Sequence, residues 1–489
     1  MSSRLIYLVG VGLLALNLGS GSLLSSDDVL YVQMAWEMVA SGDWIQPTWM
    51  GELVFEKPPL LLWLLSLCGS VFGWGEWSMR LPGALGGLLT LWCVVQLTRE
   101  GLQDDDVAPS PWSAALPLTL CLAAVIFVFN VRRPITDPLL MAFAVMSLWA
   151  CAGVLSSGSR AVPLGIAMGL GVLSKSVAMG PVGLVVIVAL LFARRFSALV
   201  RSLAVAATIA IPWHLWMLVT HGRDFWDSYV GYHIVGRAGG ALVGETGFWT
   251  YVELAAQEDP VVSLVLITGL VAGSVVAFRS VYGGARRQIL ALCAAAAWLT
   301  LVVVHLASTR LFHYLLPVVP MVAVVTSICV LCSGHRRILS WGVSLVCLLA
   351  FVSGPLDHLT NPDYSPSART VAERHLLGLP PEQTIVLWES YDPALFWYAQ
   401  RAGEIWSEDE GFYEAQQSVD MMRRSGTVIR ADQQRFRALT DEGDVVVVVP
   451  EHRRHTFDSW FGSVGVTGQM RAVKESELGY LLLFVEGRP

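Results

Sequence analysis

The chain has 489 residues, of which 54% are hydrophobic and 15% charged, with a net charge of −7 at pH 7 and a mean hydropathy of +0.57. A water-soluble globular protein carries about 25% charged residues, so this composition excludes an ordinary cytosolic enzyme and requires a membrane as a second solvent. The acidic balance, without a basic stripe interleaved with aromatics, argues against nucleic acid as a partner.

Charge-free apolar stretches of about 20 residues are long enough to cross the hydrocarbon core. The first, residues 5–26, follows Arg4. It reads as a retained helix rather than a cleaved signal peptide, because it has one n-region charge and no cleavage site before Asp27. Residues 25–80 then form a long external loop containing a short helix, 29–40, and an apolar run, 58–75. That run reads as interfacial or re-entrant, since counting it as a crossing would turn Arg99 outward. Further spans are expected at 81–98, 111–130, 138–159, 161–174, 176–193, 202–222, 261–278, 288–309, 311–334 and 338–356. Arg99, Arg160, Arg194, Arg279 and Arg336 mark alternate loops, which the positive-inside rule makes cytoplasmic.

The sequence therefore predicts a polytopic α-helical membrane protein of about 11–13 transmembrane helices, in the cell's inner (plasma) membrane with the tail outside the cytoplasm. Residues 1–356 form the membrane module and residues 357–489 the C-terminal domain. The last 125 residues hold 32 of the 71 charges, as a solvated domain would. Strand-like runs at 384–388, 427–430, 444–450 and 480–485, with helix-like stretches between them, predict a small extracytoplasmic α/β fold there. All eight cysteines lie in apolar runs and read as buried thiols.

The external loops hold nearly every acidic residue of the membrane module. Asp27 and Asp28 follow the first span directly, and one acid suffices to cap the next helix. An ionised side chain beside the bilayer needs a partner or a function. Glu56 and Lys57 precede Pro58-Pro59, while Arg132, Arg133 and Asp137 lie in R-R-P-I-T-D-P. His233 and Arg237 are one helical turn apart and share a face; Arg310 and His313 stand in R-L-F-H-Y-L-L-P. Only three lysines occur against 29 arginines, and Lys57 and Lys175 both map to the outer face. A compact ammonium kept in so arginine-biased a chain suits a phosphate ligand. Each of these residues also has a structural reading as a cap, an ion pair or a surface group.

The segments D-D-V-L-Y-V-Q-M-A-W-E-M-V-A-S-G-D-W-I, F-E-K-P-P-L-L-L-W, R-R-P-I-T-D-P-L-L, G-L-G-V-L-S-K-S-V-A-M-G-P-V, Y-H-I-V-G-R and R-L-F-H-Y-L-L-P occur in that order. Together they resemble the ArnT-like and protein O-mannosyltransferase-like glycosyltransferases of the GT-C superfamily, and most closely the lipid A aminoarabinose transferases. The resemblance implies transfer of a sugar, with inversion, from a polyprenyl phosphate to a lipid, glycan or protein acceptor on the outer side of the bilayer. It implies catalytic roles for Asp27 and Asp137, donor-phosphate binding by Lys57, Lys175 and Arg310, and a divalent metal (Zn, Mg or Mn) at Glu56 and His233. Asp28, Arg132, Arg133, Arg237 and His313 would support them, and no nucleotide cofactor is implied. This sequence departs from the family at Asp27-Asp28, usually Asp-Glu, and at Lys175-Ser176, where the family has a Lys-Gly-Pro turn. The alternatives are a secondary transporter and an inactive sensing or scaffold relative; the charges avoid the spans and no repeat is visible, against the first.

Overall fold

The computed structural model describes residues 3–24, 27–103, 111–236, 247, 249–279, 284–307, 310–362, 366–380, 382–401, 403–410, 428–464, 470–475 and 479–485. They divide into two compact units: Met1–Ser20 with Glu56–Pro362, and Gly21–Phe55 with Asp363–Pro489. The segment expected as one external loop, 25–80, is thus shared, its part up to Phe55 grouping with the C-terminal residues.

The first unit is helical. Among the described residues seven helical stretches are long and apolar enough to cross a membrane: Glu76–Glu100, Asp137–Ser157, Ala161–Phe192, Phe196–Gly231, Pro260–Phe278, Gly284–Leu306 and Arg336–Ser353; two of them are broken internally, at Ser176 and at Gly222. Leu60–Phe72, Trp112–Ala123 and Val318–Leu331 are shorter apolar helices. This is a multi-pass membrane protein. The run 111–130, expected as one span, breaks at Ala124, whose ψ is 117°. The short helix beyond it begins with the Ile126 N–H donating to Asp259 across the fold at 3.4 Å.

Three local features position the site. The helix Ala161–Lys175 ends where Ser176 adopts φ 51° and ψ −125°, and the chain resumes as Gly180–Phe192. A Cβ added at Gly183 would lie 3.8 Å from the Met168 methyl carbon; a straight helix would separate the two residues by about 22 Å. The chain therefore reverses at Lys175-Ser176. Glycine spacing lets the helix Ala161–Lys175 lie against Phe196–Phe225, since Cβ atoms at Gly165 and Gly169 would come within 2.5 Å of the Ser202 carbonyl and 2.9 Å of Ile209 Cβ. In the same way a Cβ at Gly83 would lie 2.6 Å from the Arg133 carbonyl oxygen and one at Gly86 2.9 Å from that of Pro138. Those two bare positions on Glu76–Glu100 seat the segment that leads into Asp137.

Two buried arginines serve the end of the first helix, Ser3–Ala15. Arg132 donates to the Leu14 carbonyl at 3.0 Å, one of those a helix terminus leaves unpaired, and Arg80 donates to the carbonyls of Leu18 at 3.0 Å and Ser20 at 2.6 Å in the segment that follows.

In the second unit the helix Asp27–Ser41 is followed by a hairpin, β1 (Thr48–Trp49) and β2 (Glu52–Leu53). Both turn residues, Met50 and Gly51, have positive φ, the conformation that matches strand twist in a two-residue hairpin. Glu37 braces the turn by accepting from Thr48 Oγ1 and the Met50 N–H, each at 2.8 Å. The C-terminal residues form a six-stranded sheet of β3 (Thr384–Trp388), β4 (Glu404–Ser407), β5 (Val428–Arg430), β6 (Val445–Pro450), β7 (Met470–Glu475) and β8 (Tyr480–Val485). Its order is β5-β4-β3-β6-β8-β7. β3 to β6 pair in parallel and β7 and β8 antiparallel. All six residues of β6 are buried, as suits a central strand, parallel to β3 on one side and antiparallel to β8 on the other, that is covered on both faces. The four strand-like runs read from the sequence are strands here; β4 and β7 are additional.

Candidate functional site

A cavity of about 230 Å³ opens in the helical unit. Its polar wall gathers Glu56, Lys57, Asp137, Lys175 and His233, five residues spread over nearly 180 positions of sequence, together with Ser176, Tyr229 and Tyr314. Leu140, Val303, Val304 and Pro317 make the remainder apolar.

Each polar group is delivered by a local device. Glu56 and Lys57 precede Pro58-Pro59, whose rings restrict the backbone before the helix Leu60–Phe72. Asp137 starts the helix Asp137–Ser157, with Pro138 in the first turn, so its carboxylate meets the positive end of the helix dipole. Lys175 ends the helix Ala161–Lys175, where a cation is favoured. The helix that starts at Phe196 breaks at Gly222 (φ 54°, ψ −119°), and the chain runs on through Phe225 into a π-helical stretch, Trp226–Gly236, which carries Tyr229 and His233. Such widened turns recur at functional sites.

Lys175 Nζ donates to both Asp137 oxygens, at 2.6 and 2.7 Å, and rests 4.7 Å from the centre of the Tyr314 ring. His233 Nε2 stands 3.7 Å from Glu56 Oε1. Two lysines against two carboxylates leave the cavity without net charge while His233 is neutral. Tyr229 is buried at 4% exposure, and its hydroxyl meets His214 Nε2 at 2.8 Å.

Glu56 and His233 are the candidate metal donors. Ligands about 2.1 Å from a tetrahedral ion are about 3.4 Å apart, so the observed 3.7 Å suits a cation held between this oxygen and this nitrogen. Among the described residues no group of three or more His, Cys, Asp or Glu is arranged for a metal. Among the described residues the site offers two donors, Glu56 and His233.

Within the same unit Arg132, Arg133, Arg310 and His313 do not line the cavity. Arg310 donates to the Gly247 and His305 carbonyls at 2.7 and 2.9 Å. Arg133 donates to Asn130 Oδ1 at 3.4 Å and lies over the Phe129 ring. Arg132 is committed to Leu14. His313 is half-buried next to Tyr314. Asp27 is exposed and Asp28 buried at the start of the helix Asp27–Ser41, in the second unit. Arg237 lies outside the described residues. Sequence reasoning missed Ser176, Tyr229 and Tyr314. The last two stand in external segments already marked by His233 and His313, and a tyrosine beside such histidines was the available signal.

Residues 56–216 match the profile of the dolichyl-phosphate-mannose-protein mannosyltransferase family. An undecaprenyl phosphate-α-4-amino-4-deoxy-L-arabinose arabinosyl transferase of Pseudomonas fluorescens is 29% identical over 52% of this chain and 48% of its own length. One of Edwardsiella ictaluri is 29% identical over 47% and 42%. The chain thus spans about half the length of the curated relatives it matches. The crystal structure of ArnT from Cupriavidus metallidurans bound to undecaprenyl phosphate superposes with a TM-score of 0.72 and 17% identity, over 99% of this chain and 96% of that one. The chain has the ArnT-like GT-C fold. The oligosaccharyltransferase AglB of Archaeoglobus fulgidus shares the ArnT-like chain's architecture more distantly, with a TM-score of 0.58 at 13% identity over 98% of this chain and 74% of that one. The family resemblance read from the loop segments is borne out by these matches.

Proposed function

We propose that this protein is an integral-membrane glycosyltransferase that moves a sugar, with inversion, from a polyprenyl-phosphate donor to a lipid acceptor on the outer face of the inner membrane, with its C-terminal domain outside the cytoplasm. The observation that carries the reading is the cavity that sets Lys57 and Lys175 beside Asp137, Glu56 and His233 against an apolar wall. Such a cavity suits an anionic headgroup on a hydrocarbon chain. The helices Gly180–Phe192 and Gly284–Leu306 also border a second, apolar cavity of about 540 Å³, lined by Leu184, Val188, Phe192, Ala295 and Leu299 among others, which suits part of a prenyl tail. Relatives are named for transfer from undecaprenyl phosphate, and one was crystallised with that lipid.

The carrier phosphate leaves with its negative charge, so fixed ammonium groups aimed at it lower the barrier by preorganised electrostatics. Lys57 and Lys175 take that role, and Arg310 is assigned to the same phosphate on the resemblance. Glu56 and His233 would hold a divalent cation, which supplies the positive charge that the balanced cavity lacks. Asp137 orients Lys175. Asp27 is assigned as the catalytic carboxylate on the resemblance, as the base that takes an acceptor hydroxyl proton or as the charge that stabilises an oxocarbenium-like centre. The donor is activated by its own phosphate and needs no nucleotide cofactor.

A protein acceptor is the second reading, favoured by the match to the protein mannosyltransferase profile. The test is mass spectrometry of lipid A, cell-wall polymers and secreted proteins from cells lacking the gene, complemented by wild type or Asp27→Asn. One sugar-bearing species disappears with the gene and returns with wild type only. Its return at wild-type level with folded Asp27→Asn removes the catalytic assignment, and no sugar difference in any fraction removes the function.

A further inference from the structure

Ser176 occupies a backbone conformation, φ 51° and ψ −125°, that glycine adopts freely and an L side chain does not. Strained non-glycine residues persist where surrounding structure holds them. Next to this turn lies a polar chain that the donor-binding account does not use. His214 Nδ1 is 2.8 Å from the Ala210 carbonyl oxygen. That oxygen only accepts, so in the neutral ring Nδ1 carries the proton and Nε2 is the acceptor. The Tyr229 hydroxyl, 2.8 Å from Nε2, must therefore donate to it. The tyrosine oxygen's lone pairs are then available to the turn, where Ser176 stands on the wall of the same cavity. The Tyr229 and His214 protons point the same way, toward the Ala210 carbonyl, and Ser176 and Tyr229 both line the cavity. His214 is anchored on Phe196–Phe225 and Tyr229 on Trp226–Gly236, so the series ties the turn to a neighbouring helix.

We propose that Tyr229 and His214 are positioning residues, which act through Ser176 to hold the strained turn that aims Lys175 into the cavity. Glycine at position 176 would need no such brace. The inference rests on the donor-phosphate reading for its catalytic meaning, while its mechanical content concerns Lys175 alone.

The test is a double-mutant cycle of Tyr229→Phe and Ser176→Gly in the full-length protein in nanodiscs, with two readouts. The first is acylation of Lys175 by acetic anhydride, followed by mass spectrometry and normalised to Lys57, which lines the same cavity. Tyr229→Phe raises the Lys175:Lys57 ratio at least threefold in the wild-type background and leaves it unchanged in Ser176→Gly. The second is affinity for undecaprenyl phosphate, which Tyr229→Phe weakens about fivefold, the worth of one buried hydrogen bond, and by less than about twofold in the Ser176→Gly background. Equal effects in the two backgrounds, or Lys57 labelling that rises in parallel, overturn the proposal. If wild type does not bind undecaprenyl phosphate the donor reading fails, and the labelling ratio still decides whether the turn is braced.

Discussion

Asp137→Asn separates two jobs of one carboxylate. Both Asp137 oxygens accept from Lys175, at 2.6 and 2.7 Å, with side-chain exposures of 5% and 14%. A phosphate drawn to Lys175 must share that ammonium with Asp137. At about 6 Å and an effective dielectric of about 20, unit negative charges repel by about 3 kcal/mol. Water in the open cavity reduces this to about 1.4 kcal/mol, or about tenfold in affinity. Asparagine keeps the shape and loses the charge, so undecaprenyl phosphate binds about tenfold tighter to the variant. Transfer is lost, because Lys175 is held by phosphate and no longer by a fixed carboxylate. Stability falls by about 1–3 kcal/mol, less than for a fully buried pair, since the cavity hydrates the freed ammonium. Lipid titration of wild type and variant in nanodiscs, beside thermal unfolding, reads all of this. A tenfold weaker affinity at an unchanged unfolding midpoint would refute the reasoning and make Asp137 a direct support of the ligand.

Other consequences can be measured on the same material. Asp259 lies before the span Pro260–Phe278, and burial pushes its carboxyl up to about 6 despite N–H donors from Ile126 and Val125. The native state thus keeps a proton that the unfolded chain has released, and this contribution to stability is lost as pH rises from about 4 to 6. The unfolding midpoint of wild type relative to Asp259→Asn therefore drops between pH 4.5 and pH 7, and a constant difference contradicts the burial argument. Gly83→Ala drives a methyl toward the Arg133 carbonyl at 2.6 Å and costs about 1–3 kcal/mol by overpacking, with weaker lipid binding. Gly342→Ala, which meets nothing within 4 Å, is neutral or stabilising as a control. Chelation lowers wild-type affinity for undecaprenyl phosphate and leaves Glu56→Gln unaffected; equal chelator effects remove the metal assignment.

Much of this was legible because membrane helices advertise themselves. A charge-free run has no alternative to a helix in hydrocarbon, and the turn at Lys175 was visible as the one ammonium between two apolar runs. What the sequence did not show was breakage and commitment. Residues 111–130 read as one span, yet the helix stops at Ala124 because Asp259, distant in sequence, receives the next N–H groups. Arg132 and Arg133 look available in R-R-P-I-T-D-P, but one closes off the first helix and the other binds Asn130; local spacing carries no record of which carbonyl a long side chain will find. β4 is only four residues long and β7 is dotted with charges, so neither shows the apolar run that revealed β6. The tyrosines of the cavity were hidden for the opposite reason, as aromatic residues are expected throughout a membrane interface.

The decisive measurement is a cryo-electron microscopy map of the full-length protein in nanodiscs with undecaprenyl phosphate. Phosphate density is expected within hydrogen-bonding reach of Lys57 and Lys175, and is expected to be lost in Lys57→Ala. Phosphate density against other residues, or density that persists unchanged in Lys57→Ala, would contradict the donor-phosphate assignment.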